Sequence, residues 1–328
     1  MTPVSSYDEL MAAQAQAAVA ISDAHHSSWN KEVHPLPASQ DKSKANIRAY
    51  ARWDGAIEYR GDVTQTLQDM FAKAGRASSD ADLEQYRDAL GVVLHENVHL
   101  LAGRGTSHGM AFDAYQEPAV ATLDEGVTEA YKRIALDAYI DELGLEQIAP
   151  GLKSVRADRS YPQFVPAAEV LASAIGRRAD LPGDEVMRRM AVVNAEDKFR
   201  VAAELVYASS DLPDLVPEGH QAAVVTQIAA TLKGPFEQIS DLDPDDHLDL
   251  RMSPLAGAEA DQAAAQYVRQ QTTFWRDRQD LRKTLDVGLG QTSPREATGS
   301  DRASGDTPRR GGHLSRQDQT SCRPIDRD

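Results

Sequence analysis

Leu94-His95-Glu96-Asn97-Val98-His99-Leu100-Leu101 carries two histidines four residues apart, with a glutamate directly after the first. On an α-helix, positions i and i+4 share a face, so His95 and His99 can aim two imidazoles at one metal ion. Glu96 can contact a metal-bound water without being a ligand itself. Zinc lowers the pKa of bound water towards about 7, and a nearby carboxylate can then take the proton. The flanks favour a helix. Leu83, Tyr86, Leu90, Leu94, Val98 and Leu101 recur at helical spacing and predict a long helix over 80–102.

A catalytic zinc takes three protein ligands and keeps one position open. Downstream, His108, Asp113, Asp124 and Glu125 are the candidates. A metzincin would place Gly three and His six residues after the second histidine; those positions hold Ala102 and Gly105, so that pattern fails. His108 lies in the turn-like stretch 105–109, GTSHG, and reads as a loop histidine or a substrate-side residue. The segment 124–129, DEGVTE, is more informative. Glu125 sits near the start of a helix expected over 123–143, and Gly126 lets that helix approach another backbone closely. Glu129 lies one turn after Glu125 on the same face. Asp124, a rival third ligand, is expected to cap the helix N-terminus instead.

With H-E-x-x-H followed by a helix bearing E-G-x-x-E, the chain resembles the gluzincins, the thermolysin-like and aminopeptidase-like zinc metallopeptidases. DEGVTE followed by Tyr161-Pro162 also resembles small metallopeptidase-like domains of bacterial toxins and secreted effectors. The resemblance covers about residues 90–165, and the chain lacks a GAMEN-like segment for a peptide N-terminus. It implies one Zn2+ per chain, held by His95, His99 and Glu125. Glu96 would be the general base and Glu129 the carboxylate that orients the first histidine. Glu96 would accept a proton from the zinc-bound water and deliver it to the leaving amine. Such sites add a Tyr or His donor for the developing oxyanion. Tyr161 fits best, with Tyr131 and His108 as rivals. The implied substrate is a peptide or protein, with an immunity or inhibitor protein as a further partner if the chain is a toxin. The implied fold is an α+β, mainly helical, zincin-like domain. The alternatives are a zinc-binding structural or interaction protein on a peptidase scaffold, and a toxin or effector protease with one specific target.

Outside this region most segments read as helix: 7–24, 62–75, 163–177, 183–194, 195–209, 219–232 and 256–285. The polar stretch 25–44 reads as a loop, and its His25, His26 and His34 are given no role. Residues 48–60, with Asp54-Gly55 at the centre, alternate and turn like a β-hairpin. Zincins hold substrate along an edge strand ahead of the metal helix, and this hairpin is in the right chain order. Residues 241–250 imitate the start of a calcium loop, but Asp246 and Met252 stand where an EF-hand needs Gly and Glu, so the stretch reads as a solvated acidic loop. Phe274 and Trp275 are expected to dock the last helix.

Composition bounds the remainder. Of 328 residues, 41% are hydrophobic and 26% charged, which permits a sizeable core. Lys and Arg number 35 against 51 Asp and Glu, a net −16 that argues against nucleic acid or anionic lipid as the main partner. One cysteine, Cys322, excludes an internal disulfide framework and a Cys-based zinc knuckle. No run reaches the ~18 apolar residues of a membrane span. The first residues lack the basic start and apolar stretch of a signal peptide, so the expectation is cytoplasmic, with signal-less export left open. Residues 1–40 read as a helical or loose N-terminal arm and 41–285 as the catalytic domain. Residues 286–328 read as a disordered tail in which seven basic and seven acidic residues cancel.

Overall fold

The computed structural model describes residues 2–37, 47–156 and 160–288. In chain order these form α1 (Tyr7–Ser22), β1 (His26–Ser27), β2 (Val33–Pro35), β3 (Ala49–Ala51), β4 (Ile57–Tyr59), α2 (Gly61–Ala72) and α3 (Asp80–His99). Then come β5 (Leu101–Ala102), α4 (Phe112–Tyr115), α5 (Pro118–Leu143), α6 (Val165–Ala179), α7 (Gly183–Ala191) and α8 (Lys198–Ala208). The series ends with α9 (Leu212–Leu215), α10 (Glu218–Glu237), α11 (His247–Leu250) and α12 (Met252–Gly288). The architecture is a mostly helical α+β fold with two small sheets. One compact unit runs as far as Leu281. Beyond Gly288, the stretch read as a tail lies outside the described residues. Among the described residues, no helix is long and apolar enough to cross a membrane.

Local chemistry sets the two helices that carry the metal-type residues. Ser79 caps α3 by accepting from the Asp82 amide, while the Asp82 side chain accepts from the Ser79 amide, a reciprocal capping box. Pro118 opens α5 at a position where a missing N–H costs nothing, and Gly144 closes it at φ 70°. Both helices are buried over much of their circumference. α5 is the central element, packed against α1, α3, α6, α7 and α10. Gly126 explains its approach to α6, because a Cβ there would meet the Phe164 carbonyl oxygen at 2.9 Å.

α1 is an Ala-rich packing helix with a polar anchor. Gln14 is fully buried, and its Oε1 accepts from the Tyr59 hydroxyl (2.6 Å) and from Asn97 Nδ2 (2.9 Å). The Tyr139 hydroxyl donates to the Gln14 carbonyl at 3.2 Å. One glutamine thus ties α1 to β4, to α5 and to the back of α3, opposite the face that carries His95 and His99.

The hairpin over 48–60 forms, with Ala49 opposite Tyr59 and Ala51 opposite Ile57. Gly55 takes the positive φ its turn requires, 89°. The polar stretch 25–44 is a correction. It contributes β1, antiparallel to β5, and β2, parallel to β4. These strands are two and three residues long and carry no alternation of their own. Their pairing comes from partners that fold elsewhere; residues 38–46 of the stretch lie outside the described residues. The three-stranded order β2-β4-β3 leaves β3 at an edge. At the far end, Trp275 is buried and Phe274 is 49% exposed, so of the expected pair Trp275 alone docks α12.

Candidate metal centre

α3 presents His95 and His99 one turn apart, and α5 crosses it presenting Asp124, Glu125 and Glu129. His95 Nε2 and His99 Nε2 lie 3.1 Å apart. Glu125 Oε2 is 3.4 Å from the first and 3.5 Å from the second. A tetrahedral zinc with bonds of about 2.0–2.1 Å sets its ligand atoms about 3.3–3.4 Å apart, so this triangle has the size of one face of such a site.

The outer atoms of all three side chains are held. His95 Nδ1 faces Glu129 Oε2 at 3.2 Å, and His99 Nδ1 faces Asp124 Oδ2 at 2.8 Å. Tyr115 donates its hydroxyl to Glu125 Oε1 at 2.8 Å. Carboxylates at both Nδ1 atoms place the imidazole protons there, which turns both Nε2 lone pairs towards Glu125 Oε2. That oxygen is buried and makes no hydrogen bond. Two lone pairs and a carboxylate oxygen converging without a donor call for a cation. His95, His99 and Glu125 form a buried cluster able to bind a metal ion.

The electrostatics follow from the crowding. Burial opposes ionisation of Glu125, but His99 and His95 outweigh it and hold its pKa well below the usual carboxylate range. Burial pulls the two histidines down, and their carboxylates more than compensate: Glu125 and Glu129 raise His95, while Asp124 and Glu125 raise His99 well above its ordinary value. Burial pushes Glu96 up, opposed by the histidines.

Two cavities meet at the cluster. One, of about 240 Å3, is lined by β3 residues Ala49, Tyr50 and Ala51 and by Trp53, His108 and Tyr115. The other, of about 450 Å3, is lined by Lys132, Gly91 and Gln163 among others. His95, Glu96 and Tyr161 line both. The Tyr161 ring stacks on His95, centroids 5.4 Å apart and planes within 5°, from a backbone at φ 53°. The charge of Glu125, with burial, drives its hydroxyl pKa well above the ordinary value.

The structure therefore brings His95, Glu96, His99, Glu125, Glu129 and Tyr161 together. Of the rivals, Tyr131 lies elsewhere, its hydroxyl directed at the Ile21 carbonyl. His108 joins the cavity wall, stacked on Trp53 with centroids 4.3 Å apart. Burial and the neighbouring His99 push its pKa down to about 4. Asp113 is not among the residues that line either cavity. The expectation that Asp124 caps its helix fails. α5 begins at Pro118, which places Asp124 in the second turn, buried against His99. Tyr115 and Lys198, which contact Glu125 and Asp124, were both missed, Tyr115 being the one that touches a metal-type residue. Nothing local in the sequence marks the Tyr115 hydroxyl as a partner of Glu125.

No protein-family model matches the chain, and no curated protein or solved structure does.

Proposed function

We propose that the protein is a zinc-dependent peptidase on a zincin-like fold, with His95, His99 and Glu125 as ligands and Glu96 as general base. The observation that carries this reading is the position of Glu96 on the wall of both cavities, beside a three-ligand cluster whose Glu125 oxygen has no donor. A purely structural zinc is closed by four protein ligands and has no use for a free carboxylate beside it.

A bound zinc supplies Lewis acidity, lowering the pKa of water and polarising a carbonyl. The chain's residues do the rest. Strand β3 lies at the edge of its sheet among the described residues and lines the smaller cavity, a placement suited to an extended peptide by strand addition. Glu96 takes the proton of the attacking water and hands it to the leaving nitrogen. Glu129 holds the His95 ring through Nδ1. Tyr161, stacked on His95 at the junction of the cavities, donates its hydroxyl to the carbonyl oxygen as charge develops there. Its high pKa keeps that proton in place near neutral pH.

Glu96→Gln keeps size and removes the base. Mass-spectrometric analysis of a peptide library should show cleavage by the wild-type chain and none by the variant, with zinc content equal in both. Full cleavage by Glu96→Gln would overturn the mechanism, and no cleavage by either would overturn the peptidase reading.

A further inference from the structure

Lys198 opens α8 and is 1% exposed, among the most deeply buried charged side chains of the described residues. A buried ammonium is costly unless it is paired, and a methionine would fill the same space without that cost. Its partners explain its presence. Nζ lies 3.3 Å from Asp124 Oδ1 and donates to the Met190 carbonyl at 3.3 Å. The other oxygen of Asp124 meets His99 Nδ1. A continuous chain of polar contacts thus runs from the end of α7 and the start of α8, through α5, to a metal-type histidine on α3.

The geometry of a carboxylate makes the lysine more than a strut. The last torsion of an aspartate is a broad rotor, so a carboxylate held at one oxygen can still swing about it. Lys198 holds Oδ1, and Oδ2 then stays in line with the His99 imidazole. The companion histidine has a parallel arrangement: Glu129 Oε1 accepts from Lys132 at 2.8 Å and from Arg133 at 3.0 Å, while its Oε2 faces His95. Each imidazole is aimed by a carboxylate, and each carboxylate is itself clamped by a cation.

We propose that Lys198 is a positioning residue of the metal centre: through Asp124 it fixes the orientation of the His99 ring and so sets the affinity for zinc. The inference rests on the metal reading of the cluster. It is tested by zinc affinity measured on folded protein in competition with a chromophoric chelator, beside the melting temperature of the metal-free form. Lys198→Met should weaken zinc binding by about 10- to 100-fold, the range for loss of a partner behind a ligand. Lys198→Arg, which keeps a cation at Asp124, should retain most of the affinity. If Lys198→Met does not fold, the double variant Lys198→Met/Asp124→Asn removes both buried charges and should fold with the same loss of affinity. Wild-type affinity in a folded Lys198→Met protein, or in the double variant, would reduce the lysine to a link between α7 and α8 and overturn the proposal. A wild-type chain that takes up no zinc would overturn the metal centre as well. Tight wild-type binding with unchanged variants would overturn this inference alone.

Discussion

Glu125 divides its two oxygens between two tasks. Oε1 accepts from Tyr115, and Oε2 completes the triangle with both imidazoles. Tyr115→Phe should free Oε1 to turn towards the metal and lower zinc affinity by about tenfold, measured by chelator competition. On the proposed peptidase reading, Tyr161→Phe should leave zinc affinity unchanged and cut kcat by roughly 10²-fold with KM nearly constant, since the hydroxyl would act only as charge develops. His108 allows a pH prediction. Its pKa of about 4 in the folded chain lies below the ordinary imidazole value, so the unfolded chain binds the extra proton first. The stability that goes with neutral His108 is complete above about pH 6.5 and is lost as pH falls towards 4, a span worth roughly 3 kcal/mol. His108→Phe keeps a ring against Trp53. The difference in urea-unfolding free energy between wild type and this variant, both in chelator, should therefore shift in favour of the variant across that window.

At the scale of elements, the crossing of α3 and α5 decides whether the three ligand atoms meet. α5 is held down on its far side by α6 through Gly126. Gly126→Ala puts a methyl 2.9 Å from the Phe164 carbonyl oxygen, which is backbone and yields only if α6 moves. The expected cost is about 1–3 kcal/mol in chemical denaturation, with weakened zinc binding, because Glu125 and Glu129 flank the substituted position. The long helices were legible from periodicity, and so was the hairpin, through Asp54-Gly55. The two short pairings of β1 and β2 were not. Two or three residues cannot show a period, and β1 is a strand only because β5 lies beside it.

For the whole molecule, a cluster able to hold a metal ion would couple folding to that ion. A buried site that binds zinc when folded gains RT ln(1 + [Zn]/Kd), about 2.7 kcal/mol at a hundredfold excess over Kd. Zinc should raise the melting temperature of the wild-type chain by several degrees and chelator should reverse it, while His99→Ala should show no shift. The Gln14 network makes α1 part of the same cooperative unit. Gln14→Leu would leave the Tyr59 hydroxyl buried without its acceptor, a loss of roughly 1–3 kcal/mol, while the Asn97 amide would lose one of its two acceptors and keep the Val93 carbonyl.

The pairing of His95 with His99 and the adjacency of Glu96 were readable from one heptad because helical geometry is local: four residues make one turn whatever surrounds them. Glu125, 26 positions beyond His99, was readable only as a residue of suitable type on a helix of suitable placement. That it lies within 3.5 Å of both imidazoles depends on how α5 crosses α3. Asp124 shows the limit most plainly. From its neighbours it reads as a cap, because acidic residues favour helix starts, yet Pro118 begins the helix earlier and turns Asp124 inward to His99 and Lys198. Tyr115 and Lys198 belong to the centre through contacts 10 and 74 positions along the chain from their partners, and no local period encodes such a distance. Sequence determined which side chains could serve a metal, since ligand type and helical spacing are properties of the residues themselves. Tertiary structure alone decided which of them converge and which contact the others from behind, since those contacts exist only once the helices have packed.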